Sequence, residues 1–191
     1  EENACRIFEI AKKINNKIIT ITGGAHPSAV PEDALKDGNL DFVVLGEGEI
    51  ITKKLLENIE SGKDISAIEG LGFKRDRHVI INPRKNYQDN LDETPFPYWE
   101  ILPLKMYFKI NNPHGNPVRR IPYLPVVTSR GCPFNCVFCS VHNLWGNNYR
   151  KRSAENVLME LEYLVNKFGI KEVLFEDDNL TFDKERAKNI F

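Results

Sequence analysis

Three of the chain's four cysteines sit together in the stretch TSRGCPFNCVFCSVHNLWG, where Cys132, Cys136 and Cys139 are separated by three and then two residues. Thiolates are soft donors that hold zinc or iron–sulfur clusters, so this spacing points to metal chemistry. Disulfide pairing would leave one of the three without a partner, and nothing in the sequence suggests export. Zinc would want a fourth protein ligand, and His142, three positions beyond Cys139, supplies one. Structural zinc ligands commonly come as two separated pairs, however, whereas here all four would crowd one loop. An iron–sulfur cluster held by three cysteines leaves one iron open to a substrate or cosubstrate, and an open site implies catalysis.

The elements around the thiols must place them. YLPVVTSR reads as a strand running into the cysteines; Ser153 caps a helix, SAENVLMELEYLVNKF, and Gly169 stops it. Its apolar face is expected at Val157, Leu158, Leu161, Leu164, Val165 and Phe168. KEVLFEDDNL is the next strand, giving the β-loop-α-β opening of a parallel barrel or open sheet, whose functional groups belong to the loops after the strands. The cysteines lie on the first such loop and Glu176, Asp177 and Asp178 on the second, which predicts one shared face. The alternative for the acidic loop is helix capping by Asp177, Asp178 or Asn179.

Upstream, strands alternate with helices. EENACRIFEIAKKIN is an amphipathic helix with Ala4, Ile7, Phe8, Ala11 and Ile14 on one side. KIITITGG and DFVVLGEGE read as strands, PEDALKD as a short helix, and EIITKKLLENIESG as a helix burying Ile51, Leu55, Leu56 and Ile59. Such alternation implies a parallel, doubly wound sheet with ligands beyond the carboxyl ends of its strands. The turns Gly23-Gly24 and Gly46-Glu47-Gly48 fall at those ends, where a missing Cβ admits a flat or bulky ligand; tight turn geometry alone is the alternative. LGFKRDRHVIINP suggests a hairpin turning near Asp76-Arg77, and the following segment, with Pro95, Pro97, Pro103 and Pro113 among aromatics, suggests an ordered connector. The expected organisation is 1–66, a connector over 67–122, and 123–191.

Composition bounds the rest. The 191 residues are 41% hydrophobic, enough for one domain or two small ones. Acidic and basic residues number 27 and 26, so no long-range field argues for nucleic acid or an anionic membrane. No apolar run approaches the roughly 20 residues of a membrane span, and no secretory signal opens the chain, so a cytoplasmic location is expected. The helical pattern near residue 1 and the helix beginning in TFDKERAKNIF suggest a piece of a longer protein, truncated at both ends.

CPFNCVFC, with its spacing and the aromatic before the last cysteine, resembles the motif of radical S-adenosylmethionine (SAM) enzymes. The resemblance implies a 4Fe-4S cluster on Cys132, Cys136 and Cys139 whose open iron chelates SAM. Its reductive cleavage would yield a 5′-deoxyadenosyl radical, with Phe138 near the adenine. FEDDNLTFD departs from the common glycine-glycine-glutamate segment. It resembles the aspartate-rich variant of the branch containing anaerobic magnesium-protoporphyrin IX monomethyl ester cyclase and cobalamin-dependent methyltransferases, which implies that Glu176, Asp177 or Asp178 meets the SAM amino group. GGAHPSAVPEDAL followed by DFVVLGEGE resembles the second half of that branch's cobalamin-binding domain, implying cobalamin contacts at Gly23, Gly24, Gly46, Glu47 and Gly48. His26 does not match the cobalt-ligand motif and is read as turn packing.

The resemblance implies a partial doubly wound, Rossmann-like cobalamin-binding domain followed by the start of a radical SAM partial TIM-type barrel. Together these would be a fragment, expected to be inactive alone, of an enzyme of methyltransferase or cyclase/oxidoreductase type. A small-molecule substrate and an electron donor such as flavodoxin or ferredoxin are the expected partners. The rivals are a zinc-stabilised, non-catalytic interaction module and a degenerate barrel that keeps the cluster without cleaving SAM. Among smaller features, Cys5 reads as a buried hydrophobe, Arg150 and Arg152 as ligands of an acid or a solvated basic run, and Trp99 with Tyr98 as packing.

Overall fold

The computed structural model describes residues 2–76, 78–110, 113 and 117–191, which group into two compact units, 1–87 with 131–147 and 88–130 with 148–191.

In the first unit, α1 (Glu2–Ile14), β1 (Ile21–Gly23), α2 (Ala25–Ala29), α3 (Pro31–Ala34), β2 (Phe42–Val44) and α4 (Gly48–Ser61) follow one another, then the hairpin β3 (Leu71–Arg75) and β4 (His78–Ile81). The sheet order is β1-β2-β3-β4, parallel between β1 and β2 and antiparallel thereafter. The hairpin therefore extends the first sheet. At its turn Asp76 has a φ of 50°, while Arg77 lies outside the described residues. Successive strand residues face opposite sides, so Val44 joins Ile51, Leu55, Leu71 and Phe73 in one core while Val43 joins Leu35, Leu40 and Leu45 in another. Of the expected apolar face of α4, Ile51 and Leu55 are buried and Ile59 packs against the same core, whereas Leu56 is exposed. On α1, Phe8 packs against the second core, whereas Ile7 and Ile14 are exposed. The helix α2 was not foreseen from GGAHPS, which reads as a turn.

In the second unit the connector forms α5 (Leu104–Ile110), and β5 (Tyr123–Val126) leads to β6 (Ser129–Arg130). The short helix α6 (Val141–Trp145) belongs to the first unit; the chain returns to the second with β7 (Arg150–Lys151), α7 (Ala154–Phe168), β8 (Glu172–Phe175) and α8 (Lys184–Ile190). β5 pairs parallel with β8, from Tyr123 opposite Glu172 to Val126 opposite Phe175, with α7 in the crossover. Leu124, Val126 and Leu164 pack with Ile170, Trp99 and Leu104 to form the core. The Ser153 hydroxyl accepts from the Asn156 N–H, and Gly169, at a φ of 66°, ends α7, both as expected. The single strand read in YLPVVTSR breaks at Val127 and Thr128, and β6 turns away to pair antiparallel with β7. Trp99 is buried and Tyr98 exposed.

Candidate functional site

The cysteine loop is closed at its base. The Cys132 N–H donates to the Gly146 carbonyl at 3.4 Å, and His142 Nε2 lies 3.0 Å from the Cys132 carbonyl. Cys132 is buried, whereas Cys136, Val137, Phe138 and Cys139 reach solvent, and the Cys139 N–H donates to the Cys136 carbonyl at 3.0 Å in a turn. No disulfide joins the four cysteines. By type and spacing the three thiols fit a cluster. They are not drawn together, for among the described residues no group of three or more His, Cys, Asp or Glu side chains is placed to hold a metal. Ligation supplies folding free energy of its own, so an open thiol loop is compatible with binding. The zinc alternative finds no support, because its fourth ligand, His142, is directed at the loop's own backbone.

The glycine turns meet through Ser28. Its hydroxyl donates to the Gly24 carbonyl at 2.7 Å and accepts the Gly46 N–H at 2.8 Å. Gly24 and Gly46 have φ values of 99° and 69°, so both need the freedom of glycine. Gly23 lies tight against the next strand: a Cβ there would come within 3.1 Å of the Val44 carbonyl oxygen. Beside Gly23 opens a cavity of ≈ 770 Å³ whose walls include Cys5, Phe8, Thr22 and His26. Glu47 is buried and faces Arg84 at 3.3 Å, so its carboxylate holds the turn, and Gly48 begins α4.

In the second unit the three expected carboxylates have different surroundings. Asp177 accepts from the Thr128 N–H and hydroxyl, each at 2.5 Å, and from the Ser129 hydroxyl at 2.9 Å. Asp178 reaches solvent, yet partial desolvation, with the Asp177 charge as the smaller cause, pushes its pKa above the usual value. Glu176 continues the parallel ladder through its N–H to the Val126 carbonyl at 3.0 Å, and lines an otherwise apolar cavity of ≈ 360 Å³ with Trp99, Tyr107, Tyr123 and Leu174. None of the three caps the following helix; Asp183 does, accepting the Arg186 N–H at 3.0 Å.

The basic run is not a solvated face. Arg150 and Arg152 are buried, with Arg152 bonded to Asn156 at 2.6 Å and Glu160 at 2.5 Å. Sequence reasoning missed Arg84, Thr128 and Arg186. Thr128, fully buried, accepts at its carbonyl from the Arg152 N–H at 2.9 Å and Arg186 Nη2 at 2.8 Å. The one signal for Thr128 was its place near the end of a strand, while an arginine in a polar stretch gives none.

Residues 2–56 match the family model of the B12 binding domain and residues 126–191 that of the radical SAM superfamily. Over 189 residues the chain is 38% identical to an uncharacterized methyltransferase of Pyrococcus horikoshii, covering 98% of this chain and 39% of that protein. It is 30% identical over 186 residues to the anaerobic magnesium-protoporphyrin IX monomethyl ester cyclase of Rubrivivax gelatinosus, covering 95% and 32%. The chain thus spans well under half the length of either relative. Among solved structures it resembles the radical SAM methyltransferase TsrM of Kitasatospora setae with cobalamin and a 4Fe-4S cluster bound, at a TM-score of 0.69 and 21% identity over 98% of this chain and 36% of that one. That likeness is one of fold.

Proposed function

Because this chain pairs a segment of the B12-binding domain family with a segment of the radical SAM superfamily, we propose that it is the cofactor-holding part of a cobalamin-linked radical SAM enzyme acting on a small molecule. The observation that carries the reading is the spacing of Cys132, Cys136 and Cys139 on the loop that leaves the parallel β5-α7-β8 unit. The names of the relatives, one a methyltransferase and one a cyclase, support methylation or cyclisation as the outcome.

When bound, the cluster would supply the electron for reductive cleavage of SAM, and cobalamin would supply a methyl carrier. The chain's own residues do the holding. The three thiolates would ligate the cluster, and Phe138, 89% exposed, would pack on an adenine. Asp177 is engaged by Thr128 and Ser129, and an ammonium group would meet Glu176 or Asp178 in a charge-assisted contact. Gly23, Gly24, Gly46 and Gly48 would line the cobalamin groove, with Glu47 fixing the turn from behind. A one-electron reductant such as flavodoxin or ferredoxin and a cytoplasmic setting suit this chemistry. No helix among the described residues is long and apolar enough to cross a membrane.

Anaerobic reconstitution of the full-length protein with iron and sulfide tests the reading. Wild type should turn brown and carry about four irons per chain, lost in Cys136→Ala. Colourless protein with about one zinc per chain, lost in His142→Ala, would overturn it.

A further inference from the structure

Arg84 stands where the glycine turns and the cysteine loop of the first unit come together. Its Nη1 donates to the carbonyls of Leu45, at 3.1 Å, and Glu47, and its Nη2 meets the Glu47 carboxylate at 3.3 Å. Both partners of this ion pair are buried, with side chains 7% and 3% exposed. The guanidinium also lies over the Tyr87 ring, 4.6 Å from its centroid. A buried ion pair is weak evidence for stability, so its placement between two loops points instead to geometry.

The cysteine loop comes close to two neighbours of this arginine, Gly46 and Tyr87. A Cβ on Gly46 would sit 2.9 Å from the Leu144 carbonyl oxygen and 3.0 Å from Arg84 Cδ. A Cβ on Gly146 would sit 2.9 Å from the Tyr87 ring, and the Gly146 carbonyl accepts the Cys132 N–H. The helix α6, between the cysteines and Gly146, packs against α2, between the two glycine turns. A continuous path therefore runs from Gly24 through Ser28 to Gly46, and from there through Arg84, Tyr87 and Gly146 to Cys132.

We propose that Arg84, stacked on Tyr87, is a positioning residue that seats the base of the cysteine loop against the glycine-turn end of the sheet, coupling ligand binding at the turns to the packing of Cys132. The identity of the two ligands rests on the function proposed above; the contact itself involves neither.

The test uses full-length, cluster-free protein under anaerobic conditions at one pH, with iodoacetamide labelling read cysteine by cysteine by mass spectrometry. In wild type Cys132 should label more slowly than Cys136 and Cys139. Arg84→Ala should speed labelling of Cys132 by about fivefold or more, the low end of ordinary coupling strengths. Cys136 and Cys139 should not change. Arg84→Lys keeps the charge without the fork and should fall between, which keeps the test available if Arg84→Ala does not fold. Saturating hydroxocobalamin should slow Cys132 labelling in wild type and not in Arg84→Ala. If hydroxocobalamin does not bind wild type, the cobalamin assignment fails while the labelling contrast still decides the role of Arg84. Cys132 rates equal to wild type in the folded Arg84 variants would overturn the proposal.

Discussion

Asp177 grips Thr128 with both carboxylate oxygens, Oδ1 taking the backbone N–H and Oδ2 the hydroxyl, each at 2.5 Å. Because Arg152 and Arg186 donate to the Thr128 carbonyl, this one residue, shortly before the cysteine loop, is bonded on every polar atom.

Asp177→Ala removes the acceptor of the Thr128 N–H and hydroxyl and of the Ser129 hydroxyl. Leaving a buried group unmet costs about 1–3 kcal/mol, so urea unfolding should show a loss of that size. Asp178→Asn should behave oppositely. A carboxyl whose folded pKa is raised destabilises the fold above that pKa and has no effect below its unfolded value, so the substitution should be neutral to stabilising at pH 7. That gain should vanish below pH 3.8, the ordinary value for this group.

Glu160 is 1% exposed and paired to Arg152 inside the second unit. Glu160→Ala strands a buried guanidinium and should cost about 3–5 kcal/mol. The exposed neighbour Glu162, changed to Ala, should cost no more than about 0.5 kcal/mol in the same measurement.

Gly46 and Gly169 share left-handed backbone, at 69° and 66°, but not surroundings. Nothing lies within 4 Å of a Cβ on Gly169, so Gly169→Ala should cost only the backbone term of about 1–2 kcal/mol. Gly46→Ala must also displace the Leu144 carbonyl and should lower the unfolding midpoint further.

Lys167, and after it Tyr163, hold the Glu100 carboxyl down to a pKa of about 2, from an ordinary 4.5. A depressed carboxyl stabilises the fold above its unfolded pKa and loses that contribution as pH falls toward its folded one. The Tm difference between wild type and Glu100→Gln should therefore be steady above pH 5 and close between about pH 4.5 and 2. A constant gap would contradict the pairing.

Periodicity and caps made the elements of the β5-α7-β8 unit legible: Ser153 and Gly169 bound α7 as read, and β5 and β8 pair in parallel. Where reading failed, the deciding contact was a side chain entering from outside the periodic pattern or from a distant part of the chain. Leu158 and Val165 are exposed on α7 while Glu160 and Asn156 are buried, because Arg152 enters that face. The short helices α2 and α6 support each other across more than 100 residues, and a five-residue window carries no helical period. The thiol spacing was plain in the sequence. Asp177 read the same as its neighbours, because only the fold brings Thr128 and Ser129 to it.

The most direct measurement is the paramagnetic resonance spectrum of the reduced, reconstituted full-length protein before and after adding SAM. Three cysteine ligands leave one iron open, so SAM should enter its coordination sphere and shift the g values. A spectrum unchanged at saturating SAM would mean a cluster without an open iron, contradicting the assignment of Cys132, Cys136 and Cys139 as its only protein ligands.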